Sequence, residues 1–313
     1  MRIEYHRTLT ADRIRNAAFH AALSSVIVKG RTTVADIGAG SGLLGFMAAK
    51  LGARRVDMYE TADIAAVARK LIRHNRLAAT CRLAEVHSTD VAEPERVDVV
   101  VCETLGNYPL EENIVETLND ARERFLAPGG VIIPGAVEQF VCPVVSARFH
   151  RELSSWDGIG FGLDFAPAKA MGFNNIYVRW FEAADLLDGG GAAQAWDRFA
   201  FDRPNKTTRS GEAHWRLARD AAIHGLAIWW RAELVPGVAL GTGPLDPRTH
   251  WEQLYLPALT PIEAKAGHTF TARLRSTTSY DAGTNVAWRL ALADAAGKEL
   301  LRQSLDLEKG FLP

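Results

Sequence analysis

The sequence predicts a parallel α/β sheet covered by helices, followed by a second, antiparallel β region. Three observations predict it. From about Thr33 to Ile133, short apolar runs alternate with stretches of helical spacing, as strand–helix–strand crossovers require. After Pro134-Gly135 the texture changes to alternating, β-branched and aromatic segments. Gly38, Gly40 and Gly42 follow the first apolar run, at the carboxyl end of a strand, where open α/β sheets hold their ligands.

The elements follow in order. Ala11 to Val28 has helical spacing and precedes the first strand. Thr33–Ile37, Arg55–Tyr59 and Val97–Val101 are short, largely apolar runs and read as buried strands. Leu43–Leu51, Ala62–Arg76 and Leu110–Leu126 read as the intervening helices, the last stopped by Pro128-Gly129-Gly130. In the second half, Gln139–Val145, His214–Arg219, Leu226–Leu234, Thr269–Thr277 and Asn285–Ala293 read as strands of a sandwich or barrel, with a turn over Ser276–Gly283. Trp156 to Leu187 breaks this rhythm with Gly158, Gly160, Gly162 and Gly172 and ends in Asp188-Gly189-Gly190-Gly191, so it reads as an insertion.

At 313 residues, 48% apolar and 23% charged, the chain has material for two buried cores. A net charge of −1 argues against a polyanion-binding surface, so no nucleic-acid partner is expected. The apolar runs are too short to span a membrane, and the N-terminus has no apolar signal segment. Cys81, Cys102 and Cys142 are too few and too scattered for a disulfide framework or a metal site, which makes a reducing, cytoplasmic setting the expectation.

Three motifs carry chemistry. The loop Asp36-Ile37-Gly38-Ala39-Gly40-Ser41-Gly42 lets the backbone pass close to a ligand, and Glu60, after the second strand, can accept both hydroxyls of a ribose. Leu43 stands where a dinucleotide fingerprint needs glycine, so an S-adenosylmethionine site is expected rather than a pyrophosphate cradle. Glu103 and Glu112 flank the loop after the third apolar run. Read alone, Glu111 and Glu112 are first-turn acids of the next helix, but that does not explain Glu103 at the mouth of the sheet. The third motif, Thr249-His250-Trp251, reads alone as packing.

In this order the motifs resemble the protein arginine methyltransferases. Leu9 to Arg15, Val34 to Leu44, Met58-Tyr59-Glu60, Glu103 to Glu112, Ala127 to Pro134 and Thr249-His250-Trp251 all match, over nearly the whole chain. The resemblance implies a class I, Rossmann-like methyltransferase domain over 1–133 and a β-barrel domain over 134–313. It also implies a dimerisation arm at about 156–187 and a head-to-tail homodimer. The implied cofactor is S-adenosyl-L-methionine, leaving S-adenosyl-L-homocysteine, and the implied acceptor is arginine, either free or in a peptide or protein. Arg15 would hold the methionine carboxylate with His6 nearby, and Glu60 the ribose. Gly38, Gly40 and Gly42 would form the loop, supported by Asp36, with Ser88 on the adenine side and Asp90 close by. Glu103 and Glu112 would grip the acceptor guanidinium, Asp12 and His250 would pair across the domains, and Trp251 would wall the acceptor pocket. Leu9 and Ile114 replace methionines common in the family, Thr104 and Leu105 depart from its usual loop, and the expected N-terminal lid helix is missing.

Elementary electrostatics agrees with a paired-carboxylate site. A guanidinium stays protonated at neutral pH, and placing it about 3 Å from a sulfonium costs roughly 5 kcal/mol at an effective dielectric near 20. Two carboxylates offset that repulsion and aim one nitrogen at the methyl group. Glu112 or the Asp12–His250 pair is the expected proton acceptor, and no metal is needed. Three other readings remain: a catalytically silent binding partner, a methyltransferase for another small nucleophile, and a nucleic-acid methyltransferase. The last lacks an Asn-Pro-Pro-Tyr-type motif here.

Overall fold

The computed structural model describes residues 3–281 and 283–311. Two helices lead, α1 (Ile3–Ala11) and α2 (Arg13–Val26), in place of the single stretch expected from Ala11. Asp12 makes the break: its backbone is extended, and its carboxylate accepts the Arg15 amide at 2.9 Å, capping α2.

There follow β1 (Thr33–Ile37), α3 (Leu43–Lys50), β2 (Arg55–Tyr59), α4 (Ala65–His74), β3 (Cys81–Ala84), β4 (Val97–Cys102), α5 (Ile114–Arg124) and β5 (Leu126–Ile133). The strands form one parallel sheet in the order β3-β2-β1-β4-β5, a Rossmann-like arrangement. Every residue of β1 is buried, Thr33 and Asp36 included, as a strand covered on both faces requires. Two expected helices are shorter: α4 covers Ala65–His74 of the expected Ala62–Arg76, and α5 starts late. Leu110–Asn113 stays a loop because Asn113 takes a left-handed backbone with φ of 58°, so α5 starts only at Ile114.

The second half begins with β6 (Ala136–Val144). An insertion then carries α6 (Arg148–Leu153), a 3-10 turn, α7 (Ala166–Phe173) and the short β7 (Tyr177–Arg179). It presents Ile159, Phe161 and Leu163 to solvent, with Phe161 95% exposed. Next come β8 (Gln194–Ala200), β9 (Thr208–Arg216), β10 (Ala221–Val235), β11 (Val238–Gly241), β12 (Gln253–Ala264), β13 (Thr269–Ser279), β14 (Gly283–Ala293) and β15 (Glu299–Asp306). The strand expected over His214–Arg219 thus lies earlier, and β12 was not expected at all. The turn expected over Ser276–Gly283 tightens, because β13 and β14 stay paired out to Ser279 and Gly283; Ala282 lies outside the described residues.

Sheet β7-β12-β10-β6-β8, with β11 beside β10, packs against sheet β15-β14-β13-β9 as a barrel. Trp230, Tyr255, Phe270 and Trp288 are fully or almost fully buried in its core. Fifteen-residue β10 is its spine, pairing with β6, β11 and β12. The barrel half is tied to α5 by one side-chain amide: Asn119 donates to the Asn205 backbone carbonyl at 2.8 Å and accepts the Asn205 backbone amide at 3.0 Å.

Candidate active site

A cleft of about 250 Å³ opens at the carboxyl ends of the parallel strands. Gly38 leaves β1 at φ of +70°, and a side chain there would put its Cβ 2.8 Å from the Thr104 methyl. Gly42 caps α3 at φ of +95°, where a Cβ would lie 2.4 Å from Phe46. Both positions therefore need glycine. The amides of Gly38 and Ala39 donate to the Tyr59 carbonyl at 3.0 Å, tying the loop to the end of β2.

Glu60 continues that tie. One carboxylate oxygen accepts the Gly40 amide at 2.7 Å and the other the Ala62 amide at 2.8 Å. Each oxygen keeps a second lone pair for a ligand. Asp36, on β1, accepts the Gly45 amide at 2.8 Å and anchors the start of α3. Burial pushes its carboxyl up to about 7, the Gly45 bond opposing. His6, on α1, leans over Gly40, is 8% exposed, and has an Nε2 with no partner; burial lowers its pKa.

Glu103 follows β4. Its Oε2 accepts Nε of Arg15 at 2.7 Å and also the neighbouring Nη2, while Oε1 takes the Leu105 amide at 3.2 Å. Both side chains are nearly buried, at 7% and 5% exposure. Arg15 Nη1 donates to Asn16 at 2.9 Å. Glu111 turns back on its own loop, accepting the Asn107 amide at 3.0 Å. A Cβ on Gly106 would meet a Glu111 oxygen at 1.8 Å, so a side chain here would displace the Glu111 carboxylate from the loop. Glu112 opens into the cleft, yet desolvation by the surrounding walls, then the charges of Glu103, Glu111 and Glu60, push its carboxyl up to about 7.

The barrel holds this loop from behind. The indole N–H of Trp230 donates to the Gly106 carbonyl at 2.9 Å, and that of Trp251 to Leu105 at 2.7 Å. The Glu252 amide donates to the Asn107 side chain at 2.9 Å, and the Tyr108 hydroxyl donates to Ser276. Asp12 accepts both the amide and Nδ1 of His250 at 2.8 Å. Burial would raise the Asp12 carboxyl, but its hydrogen bonds from Arg15 and His250 prevail and hold it below its usual range. Burial also lowers His250, with Asp12 opposing.

Of the residues singled out in the sequence, His6, Arg15, Asp36, Gly38, Gly40, Glu60, Glu103 and Glu112 line one cleft. Asp12, Gly42 and His250 lie just behind it. Trp251 is corrected: at 2% exposure it braces the loop and does not wall the pocket. Ser88 is 1% exposed and is not part of the cleft lining, its backbone carbonyl accepting from Arg124 at 2.9 Å, while its neighbour His87 lines the cleft. Asp90, at the end of the same turn, is outside the lining. Ile114 is buried, whereas Leu9 lines the cleft. Sequence reasoning missed Tyr5 and His87 in the lining and Trp230 behind the loop. The first two lack a local signal; Trp230 shows only strand periodicity.

Two family profiles match. One is described as ribosomal protein L11 methyltransferase (PrmA), over residues 20–146, and the other as the arginine methyltransferase oligomerization subdomain, over 137–289. The chain is 30% identical over 287 residues to an arginine N(omega)-methyltransferase of Streptomyces achromogenes subsp. streptozoticus, covering 86% of this chain and 75% of that one. It is 26% identical over 276 residues to protein arginine N-methyltransferase 6 of Xenopus tropicalis, covering 83% and 80%. Among solved structures, the Trypanosoma brucei PRMT1 enzyme–prozyme heterotetrameric complex with AdoHcy matches at a TM-score of 0.84 and 22% identity, covering 97% and 98%. Arabidopsis thaliana protein arginine methyltransferase 10 matches at 0.82 and 20%, covering 98% of each chain. These likenesses share the sheet-plus-barrel fold.

Proposed function

The chain belongs to the protein arginine N-methyltransferase family, and on that premise we propose that it transfers a methyl group from S-adenosyl-L-methionine to a guanidino nitrogen of arginine. One observation carries the acceptor reading: Glu103 already receives a guanidinium fork, that of Arg15, in the cleft it shares with Glu112. The site that binds one guanidinium by two N–H donors has the chemistry to bind another.

The residues present fit the cofactor. Glu60 offers two carboxylate oxygens with spare lone pairs beside a loop that only glycines can form, and His6 has an unpartnered buried nitrogen facing the same space. When bound, the cofactor supplies an electrophilic methyl on a sulfonium. Glu60 would hold the ribose and Gly38 and Gly40 the nucleoside. The Arg15 edge not used by Glu103 would hold the carboxylate. Glu103 and Glu112 would orient the acceptor and draw the guanidinium's positive charge toward the nitrogens they bind, leaving the attacking nitrogen more nucleophilic. Glu112 would take the proton released, since it opens to the cleft with a carboxyl near neutrality. Asp12 and His250 would brace the two halves from behind.

In this reading residues 1–133 form the cofactor-binding unit and 134–313 the barrel, with 156–187 as a dimerisation arm. The exposed Phe161, Ile159 and Leu163 support an arm that is covered by a second copy, head to tail. No described helix is long and apolar enough to cross a membrane. Three buried, free cysteines suit the reducing cytoplasm.

The test is mass spectrometry after incubation with S-adenosylmethionine and either free L-arginine or an arginine–glycine-rich peptide, with Glu103→Gln in parallel. Methyl gain on either acceptor, lost in the variant while cofactor binding persists, is expected. Cofactor binding without methylation of either acceptor would overturn the arginine assignment.

A further inference from the structure

The order of strands lays four loops in a row along the mouth of the cleft. His87 follows β3, Glu60 follows β2, the glycine loop follows β1, and Glu103 follows β4. Neighbouring strands lie about 4.8 Å apart, so His87 and Glu103 stand at opposite ends. If the reacting end of the cofactor faces Glu103 and its ribose lies on Glu60, the base must point to His87.

What holds His87 there comes from the other half of the chain. Tyr280, at the tip of the β13–β14 hairpin, places its hydroxyl 3.2 Å from His87 Nε2 and 2.8 Å from Thr117 Oγ1 on α5. The two rings meet edge to face at 5.6 Å. The direction of the hydrogen bonds follows from the other nitrogen. His87 Nδ1 accepts the Thr89 amide at 3.3 Å and lies 2.6 Å from the Thr89 hydroxyl, which leaves Nε2 to carry the hydrogen and donate it to Tyr280. Tyr280 then donates to Thr117. Beneath, Arg124 holds the same turn by the carbonyls of Ser88 and Val91. The turn carrying His87 is thus fixed from α5 on one side and from a barrel hairpin on the other.

We infer that Tyr280 is a positioning residue for cofactor binding: reaching over from the barrel, it locks His87 as the wall of the nucleoside end of the cleft. This rests on the cofactor reading given above. The barrel thereby touches both ends of the cleft, the acceptor loop through Trp230 and Trp251 and the base end through Tyr280.

Calorimetry with S-adenosylhomocysteine and with 5′-methylthioadenosine, which lacks the amino-acid end, tests it. Tyr280→Phe removes one hydroxyl from an exposed hairpin, so folding is spared. Both ligands are expected to weaken by the same about threefold to tenfold, the worth of one hydrogen-bond relay. The KM for the methyl donor should rise with them while kcat at saturation holds. In a double-mutant cycle, Tyr280→Phe should cost nothing further on a His87→Ala background, and His87→Gln, which keeps a donor near Nε2, should recover part of the loss. In the ligand-free protein, backbone amides of residues 85–91 should exchange faster in Tyr280→Phe. Unchanged affinity for both ligands, or full additivity with His87→Ala, would overturn the inference. Failure of the unmodified protein to bind either ligand would instead overturn the cofactor reading, leaving the exchange measurement to decide the brace.

Discussion

Glu112 makes the acceptor site pH-dependent in a way that can be worked from the structure. Its carboxyl is pushed up to about 7 by desolvation and by the charges of Glu103, Glu111 and Glu60. A guanidinium binds the carboxylate form, so arginine affinity should rise with pH through that value and then level off. At pH 6 about a tenth of Glu112 is ionised and at pH 8 about nine-tenths, so affinity at pH 6 should be about a tenth of the plateau. The assay is calorimetric titration of arginine into protein loaded with S-adenosylhomocysteine, whose thioether adds no sulfonium charge, between pH 5.5 and 8.5. Near pH 7, binding should release about half a proton, seen as a buffer-dependent heat. Glu112→Gln should bind more weakly and lose the pH dependence. With the sulfonium cofactor, the added positive charge should move the midpoint lower. Affinity that is flat from pH 6 to 8, or a rise that survives in Glu112→Gln, would refute the assignment.

Other consequences follow from the loop and the arm. Trp230→Phe leaves the buried Gly106 carbonyl without its donor, which should cost about 1–3 kcal/mol in denaturant unfolding and lower kcat without altering cofactor affinity. Gly106→Ala forces Glu111 off the loop; acceptor kcat/KM should fall roughly tenfold to hundredfold, with S-adenosylhomocysteine binding unchanged by calorimetry. If the arm is covered by a second copy as proposed, Phe161→Asp, which places a charge on the most exposed apolar side chain of the insertion, should shift sedimentation from dimer to monomer; a variant that still sediments as a dimer would remove Phe161 from the interface.

Much of the fold was legible because burial writes itself into local sequence. Residues of β1, β2 and β4 are mostly apolar, with Asp36, Asp57 and Asp98 as interruptions, since both faces of that sheet are covered. The strand β12 was illegible for the opposite reason. Pro257 and Pro261 argue against a strand, but β7 pairs only with Gln253–Tyr255, so the prolines fall where β12 has lost that neighbour. In the site, the glycine loop and Glu60 are recognisable because they lie at strand ends. The Arg15–Glu103 pair joins residues 88 apart in sequence, and His87 gains its place from strand order alone. No local pattern encodes either. The Trp251 misreading has the same origin: the sequence shows an indole beside the site residues, but only the fold shows that its N–H points into the loop.

The barrel's part in the chemistry follows from charge. Asp36, Glu60, Glu103 and Glu112 line one cleft in which Arg15 is the only arginine or lysine among the described residues. Burial raises Asp36 and Glu112 both to about 7, and at Glu112 the charges of Glu103, Glu111 and Glu60 add to it, so the cleft relieves part of its repulsion by holding protons. It would also relieve it by letting Glu103 and Glu112 splay apart, since only a loop joins them. The anchors at Leu105, Gly106, Asn107 and Tyr108 deny that second escape, and every one of them is made to a barrel residue: Trp251, Trp230, Glu252 and Ser276. Two carboxylates kept together against their repulsion are already arranged for two cations, a sulfonium and a guanidinium, which no neutral site could hold side by side. The energy of docking the barrel is therefore stored as preorganisation of the acceptor loop, and severing an anchor should be felt when both cations are present and scarcely when the neutral thioether is bound alone.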